Sequence, residues 1–487
     1  MRVVVVGAGL SGLSAALHLA GDGHRVTLVE RDAGPGGRYG VLRRDGFTFD
    51  TGPTVFTMTN LLEEAFTAAG LRMDDYVGFE RLDPAYRAVF ADGSTLLVRG
   101  TPEAMRDEIA RECSAKDAAA FDDFVVWLKK LHDAELPHFI DANFSSLFDL
   151  LRSPKAMAQL VALGGFGRLG PAVARRFDDE RLHRVFSFQA MYAGLAPAQA
   201  LAIYAVITYM DSVLGVFAPR GGMHAVPRAM AAAASDVGVE VRYNAPVEAV
   251  TRGPSGAVTG VRLAGGEHVA ADAVVCTVDL PVAYRELLDV PTPRRVAHGR
   301  FSPSALVWHV GVRGEPPVDA AHHNIHFGHA WDEAFDDLLK RGVPMGDPSR
   351  FVAVPSLHDE AAAPPGHTAL YVLEPVPNLA VGRLDWRTEG PRLRERLGRF
   401  LSEAGYPDDI VTEELVTPAD WERLGMAEGS PFAFAHTFSQ SGPFRPRNID
   451  SRVPGLVFAG SGTTPGVGIP MVLISGKLAA QRVAELS

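Results

Sequence analysis

The sequence predicts an α/β fold in which a parallel-stranded nucleotide-binding domain is split by two insertions. Three observations carry this. A β-branched run at 3–6 leads through Gly7-x-Gly9-x-x-Gly12 into an Ala- and Leu-rich stretch and then a second apolar run ending at Glu30, a complete strand–helix–strand unit. Short β-rich blocks punctuated by Gly, Pro and Asn return only much later, as GVEVRYNAPVEAVTR, AVTGVRLAGGEHVAADAVVCTV and GLVFAGSG. The chain then closes on a strand, a glycine-rich crossing and a final helix, GLVFAGSGTTPGVGIPMVLISGKLAAQRVAEL. At 487 residues it is too long for one core and needs two or three folded units.

In the N-terminal unit each glycine has its own task. Gly7 permits the tight turn, Gly9 lets the backbone approach a pyrophosphate, and Gly12 lets helix and sheet pack closely. Glu30 ends the second strand where a carboxylate accepts hydrogen bonds from ribose hydroxyls and repels a 2′-phosphate. The same glycine spacing recurs at Gly165, Gly167 and Gly170, but without a flanking strand or an acidic strand end, so nucleotide binding is assigned to the first copy. After Glu30 come RDAGPGGRYG and GFTFDTGPTVF, with Gly36, Gly37, Arg38, Asp50, Gly52, Pro53 and Thr54 ahead of any second helix of a dehydrogenase repeat. This continuation resembles the glutathione-reductase-type Rossmann-like flavoproteins and selects FAD over NAD. Paired glycines admit a cofactor against bare backbone, and Arg38 can meet a phosphate with its forked donors.

The predicted organisation is a discontinuous FAD-binding domain (1–100, with the start of a substrate domain; 217–290; 441–487), a mostly helical insertion at 101–216 that faces substrate and membrane, and a mixed α+β substrate domain at 291–440. The run at 189–210 has no charged side chain, but Gln189, Pro197, Gln199 and three tyrosines interrupt it, so a buried helix, or one dipping into a membrane face, is expected rather than a span. A net charge of −11 argues against a nucleic-acid partner. Cys113 and Cys276 form no C-x-x-C pair, and no export leader is visible, which fits a reducing cytoplasm.

The C-terminal FAGSGTTPGVGIP, with GFTFDTGPT, FAPRGGM at 217–223 and SGPFRPRN at 441–448, resembles the bacterial phytoene desaturases over nearly the whole chain. The resemblance implies that Gly460, Thr463, Gly468, Ile469 and Pro470 line the ribityl and ring region of FAD, and that Val247 meets the adenine side. It further implies a lipophilic polyisoprenoid substrate, peripheral attachment to the inner face of the cell membrane, and oxygen or a quinone as electron acceptor. In the matching segment SSLFDLLRSPK, Asp149 and Arg152 stand at i and i+3 and are the candidate catalytic pair, with Phe148 where the family can carry a further arginine.

His322, His323, His326 and His329 have a metal-like spacing, but their setting reads as extended and no carboxylate or cysteine set lies near, so no metal is expected. The alternatives to desaturation are a redox-neutral carotenoid isomerase, a desaturase or oxygenase of another terpenoid, and a non-catalytic flavin- or polyene-binding protein. An amine oxidase shares the N-terminal unit but not GVGIP and FRPRN.

Overall fold

The computed structural model describes residues 1–486. Its first layer is a five-stranded sheet, all parallel, in the order Leu456–Phe458, Ala273–Cys276, Arg2–Val6, Arg25–Val29, Glu240–Arg242. Strands from three distant stretches of the chain therefore make one sheet. The helices Leu10–Gly21, Ala225–Asp236 and Ile469–Ala484 are buried with it in one apolar core. Close packing of the first and last helices needs small residues: a Cβ on Gly476 would lie 2.4 Å from Ser11 O. A three-stranded antiparallel sheet, Val247–Arg252, Val258–Leu263 and His268–Ala270, completes this part.

The second layer is a seven-stranded sheet in the order Asp409–Val416, Ser304–Arg313, His367–Val376, Arg350–Ala353, His323–His326, Tyr86–Val89, Thr95–Val98, antiparallel except for the pair joining 323–326 to 86–89. One of its faces packs on the amphipathic helix Trp386–Glu403 through Leu393, Leu397 and Leu401. The helices Pro102–Glu112 and Ala115–Glu135 begin at Thr101 and Ser114, whose side chains accept hydrogen bonds from Ala104 N and Asp117 N. They pack with the strands 86–89 and 95–98 in a separate core.

The charge-free run 189–210 is buried but is not one helix. It consists of the 3-10 turns Phe188–Ala193 and Ala202–Tyr204 and the start of the helix Ala205–Ser212. Gly194, at φ 73°, ends the first turn in the left-handed region, and Pro197, which has no N–H, follows in the connecting loop. Among the described residues no helix is long and apolar enough to cross a membrane. His323 and His326 lie in a strand, as the sequence suggests. The His323 ring nitrogens are 3.1 and 3.2 Å from the carbonyls of Ala85 and Thr54, and His322 faces His358.

Candidate active site

The N-terminal glycines sort by what a side chain at each would strike. On Gly12 a Cβ would lie 2.0 Å from Gly7 O, which is the helix–strand contact itself. Gly7 sits at φ 103° and abuts the Thr277 hydroxyl. On Gly9 the nearest atom to a Cβ is 3.8 Å away, so nothing in the protein requires its bareness. Gly9 also caps the helix Leu10–Gly21 without a side-chain hydrogen bond, leaving first-turn N–H groups to be met by something else. Such a helix end, with the positive pole of its dipole, suits a phosphate. Glu30, buried at the end of its strand, accepts from Ala8 N–H at 2.6 Å and Asp32 N–H at 3.0 Å, and it lines the cavity as a ribose acceptor must.

Gly37, Arg38, Gly52, Pro53, Thr54 and Val247 line the same cavity. Gly37 has φ 56°, and a Cβ on Gly52 would lie 2.0 Å from Arg38 O, so both positions need glycine. Arg38, expected on a phosphate, donates to the buried Asp279 at 2.9 Å, and its Nε has no partner. One side of its fork is therefore held by the protein while the residue stays on the cavity wall.

The C-terminal loop supplies the facing wall through Gly460, Gly468, Ile469 and Pro470, with Gly468 (φ 118°) capping the final helix. Thr463 is turned away from the cavity. Its hydroxyl donates to Pro446 O and its carbonyl accepts from Arg445 Nε, both at 2.8 Å, because the loop folds over an arginine beneath it. Arg445, 1% exposed, donates to the carbonyls of Thr463, Ser461, Phe434 and Gln440 at 2.6–3.3 Å. Burial pulls it down to about 10, so it stays cationic at neutral pH. Here the FRPRN segment acquires a physical task that reading along the chain does not reveal.

These walls bound one cavity of about 1300 Å³ that continues from the nucleotide end into the insertion and the second sheet. That exceeds the roughly 300–1,000 Å³ of a single small-molecule site, leaving room for a cofactor and a long substrate together. The sheet contributes through its period of two. Ala305, Val307 and His309 line the cavity, with Val307 paired to Leu373 and Val416, and His309 to Tyr371 and Glu414. Burial pushes His309 down to about 4, so it enters the wall as a neutral ring. The insertion adds Phe139, Ile140, Leu150, Leu160, Phe188 and Ile203 among others.

Asp149 and Arg152 meet as the spacing suggests, at 2.9 Å, but neither lines the cavity; Leu150 of the same turn does. The Asp149 carboxylate accepts from Ser145 and Ser146 N–H at 2.6 and 2.9 Å, which holds it below the ordinary carboxylate range. The turn Leu147–Arg152 thus uses this acid as its cap.

Asp211 is a second acid of the insertion, on the cavity wall, hydrogen-bonded to Tyr86, Gln189 and Ser212. Burial pushes it up to about 7 from an ordinary 3.8. The folded state therefore keeps this proton where the unfolded chain has lost it. The resulting stability is complete below about pH 4 and is lost as pH rises to about 7, up to about 4 kcal/mol at about 1.4 kcal/mol per tenfold difference in proton affinity. Asp211→Asn is expected to flatten that part of the stability–pH curve, measured by denaturant midpoints across the range.

A two-layer fold with a split nucleotide domain, bare Gly9, an uncapped helix end and Glu30 defines a dinucleotide-dependent oxidoreductase of the flavoprotein class. The family model for flavin containing amine oxidoreductase matches residues 10–484. The chain is 51% identical to a phytoene dehydrogenase of Streptomyces griseus, covering 99% of this chain and 95% of that one. To the zeta-carotene-forming phytoene desaturase of Myxococcus xanthus it is 40% identical, over 99% and 93%. Among solved structures it resembles an oxidoreductase from Methanosarcina mazei (TM-score 0.63, 16% identity, 99% and 100% covered) and the cyclohexylamine oxidase of Brevibacterium oxydans (TM-score 0.59, 18%, 100% and 99%). These last likenesses speak to the fold. The chain belongs to the carotenoid desaturases within the flavin containing amine oxidoreductase family, and its cofactor is FAD.

Proposed function

We propose that this protein is an FAD-dependent desaturase of phytoene or a closely related carotenoid precursor. The observation that carries the proposal is a single cavity running from the bare glycines and Glu30 into an apolar end, with more volume than one small-molecule site holds. The relatives named phytoene dehydrogenase and phytoene desaturase support it. Bound FAD supplies hydride acceptance; the organic chemistry is the cofactor's. The chain's own residues do the rest. Glycines at 7, 9, 37 and 468 leave bare backbone against the cofactor, and Glu30 holds the ribose. Val307, Leu373, Phe188 and Ile203 keep water from the electron-deficient carbon left when hydride departs, which hydration would otherwise quench. Because lipid and cavity are both apolar, transfer between them gains little of the ~0.8 kcal/mol per CH₂ of burial from water, and shape must select the substrate.

The test is to mix FAD-loaded protein with phytoene-bearing liposomes without oxygen. Flavin bleaching together with a longer-wavelength polyene spectrum is expected. Rearrangement of polyene only after prior reduction of the flavin would replace the proposal with isomerisation, and oxidation of simple amines would replace it with amine oxidation.

The same proposal extends to delivery from a lipid surface, with oxygen or a quinone taking the electrons at the inner face of the cell membrane. Phe148 and Leu151 are 78% and 71% exposed on the turn whose Leu150 lines the cavity. Val161, Phe166 and Phe438 are exposed as well, the last two on the cavity wall, and Arg152 and Lys155 supply cations that suit an anionic bilayer. Replacing Phe148 and Leu151 with serine is expected to lower the liposome-bound fraction at least about tenfold, judged from the apolar area withdrawn, with flavin content and melting temperature unchanged. Undiminished sedimentation with liposomes would place the contact elsewhere.

A further inference from the structure

The cavity wall holds three other buried acids, and each is spoken for. Glu30 accepts two backbone N–H bonds, Asp211 is bonded by Tyr86, Gln189 and Ser212, and Asp279 is paired with Arg38. Glu135 is different. It is 5% exposed and lines the cavity, its Oε1 is buried without a partner, and among the described residues it has no hydrogen bond or ion pair. Its local setting gives it no structural employment either. It is the last residue of the helix Ala115–Glu135, where the negative end of the helix dipole opposes a carboxylate, and the following turn Leu136–Ile140 is wound as π-helix. Leaving a buried carboxyl unpaired costs stability, and such costs gather at functional sites.

Its position is the second observation. Glu135 shares the wall with Tyr204, whose phenol burial pushes up to about 12 against the lowering effects of Ser441 and Arg445, with the Glu135 charge a smaller push upward. Tyr204 donates its hydroxyl to His436 O at 2.7 Å and meets Ser441 Oγ at 2.6 Å. The His436 ring in turn stands 3.4 Å from Val467 N and fills the space a Cβ on Gly466 would need. Tyr204 and His436 thus tie this stretch of the wall to the loop that ends in Gly468 at the final helix. Beyond the turn, Asn143 ties this segment to Leu478 O and Asn448. Glu135 therefore sits where the helical insertion, which walls the apolar part of the cavity, meets the C-terminal cofactor loop.

We propose that Glu135 is the catalytic base of the desaturation. Once hydride has left a substrate CH₂ for bound FAD, the adjacent C–H bond breaks. Its electron pair becomes the second bond of the new C=C, and its proton goes to the Glu135 carboxylate, giving the carboxylic acid. The cycle closes when the acceptor, oxygen or a quinone, takes up two electrons and two protons, one proton having come with the hydride and the other from Glu135. Burial alone holds Glu135 well above the ordinary carboxylate range, so the acid must lose its proton before each turnover and, once ionised, is a strong base of its type; the rate should therefore rise with pH. The assignment rests on the desaturation proposed above.

Glu135→Gln keeps the shape and removes the basicity. It is expected to fold with unchanged or higher stability, load FAD as the wild type does and take up phytoene from liposomes equally, while anaerobic flavin bleaching and polyene formation slow at least about a hundredfold, as for loss of a general base. Glu135→Asp should recover part of the rate, and Glu135→Leu none. A second readout does not depend on turnover: the carboxyl stretching band lost in Glu135→Gln should shift when phytoene enters the wild type. A Glu135→Gln enzyme within threefold of wild-type rate, or a band unmoved by phytoene, overturns the role. If the wild type neither bleaches nor makes polyene, the desaturation reading falls and the role of base falls with it.

Discussion

Gly9→Val is expected to give a folded protein that no longer retains FAD. Gly9 has φ −72° and ψ 172°, a conformation valine adopts without strain, and the nearest atom to an added Cβ is 3.8 Å away. The protein itself leaves the Cβ position open, but the cofactor does not, because the bare backbone at the head of the first helix is where a pyrophosphate must approach. A loss of at least about a hundredfold in FAD affinity, about 2.7 kcal/mol, is expected, read as flavin absorbance per protein after dialysis and as a dissociation constant by fluorescence. Gly12→Val is the contrasting variant. Its Cβ would fall 2.0 Å from Gly7 O, so it should damage folding itself, seen as a lower melting temperature even without flavin. If Gly9→Val binds FAD normally, the phosphate site lies elsewhere.

Arg445→Met should be the most damaging single change in the C-terminal half. Methionine follows the stem of arginine but carries no donor, and the carbonyls of Phe434, Gln440, Ser461 and Thr463 lose the group that gathers them. Breaking a buried, charge-assisted network of this kind costs about 3–5 kcal/mol. Because the Ser461 and Thr463 carbonyls belong to the segment entering Gly468, flavin should dissociate at lower denaturant than the main unfolding transition. Arg445→Lys retains the charge but cannot reach four carbonyls with a planar fork, and should fall between. Denaturant titrations followed by flavin fluorescence and circular dichroism test both; a midpoint unchanged in Arg445→Met would show the loop to be held by its backbone alone.

Much of the nucleotide end was legible because its determinants are local. Glycine spacing, the switch from a two-residue to a helical period and an acid at a strand end all act within the first thirty residues. The Glu30 carboxylate indeed reaches back only to Ala8 and Asp32. The pair Asp149 and Arg152 shows the limit of such reading. Spacing i and i+3 brought the two together, but it says nothing about which way the turn faces, and the turn presents Leu150 to the cavity instead. The run 189–210 was apolar enough for a helix, yet a left-handed glycine and a proline broke it into turns, several of whose residues line the cavity.

By itself, then, the sequence determined the strand–helix–strand unit, which follows from neighbours along the chain, and the need for a split α/β domain, which follows from the late return of its strand blocks; the flavin came from the family resemblance that RDAGPGGRYG and GFTFDTGPTVF carry. The tertiary structure alone decided what faces the substrate. Arg38 finds Asp279 across 241 positions, Tyr204 finds His436 across 232, and Glu135 is left without a partner. A side chain's protonation and reach depend on what surrounds it in space, and burial among residues from distant segments is a property that no spacing along the chain can encode.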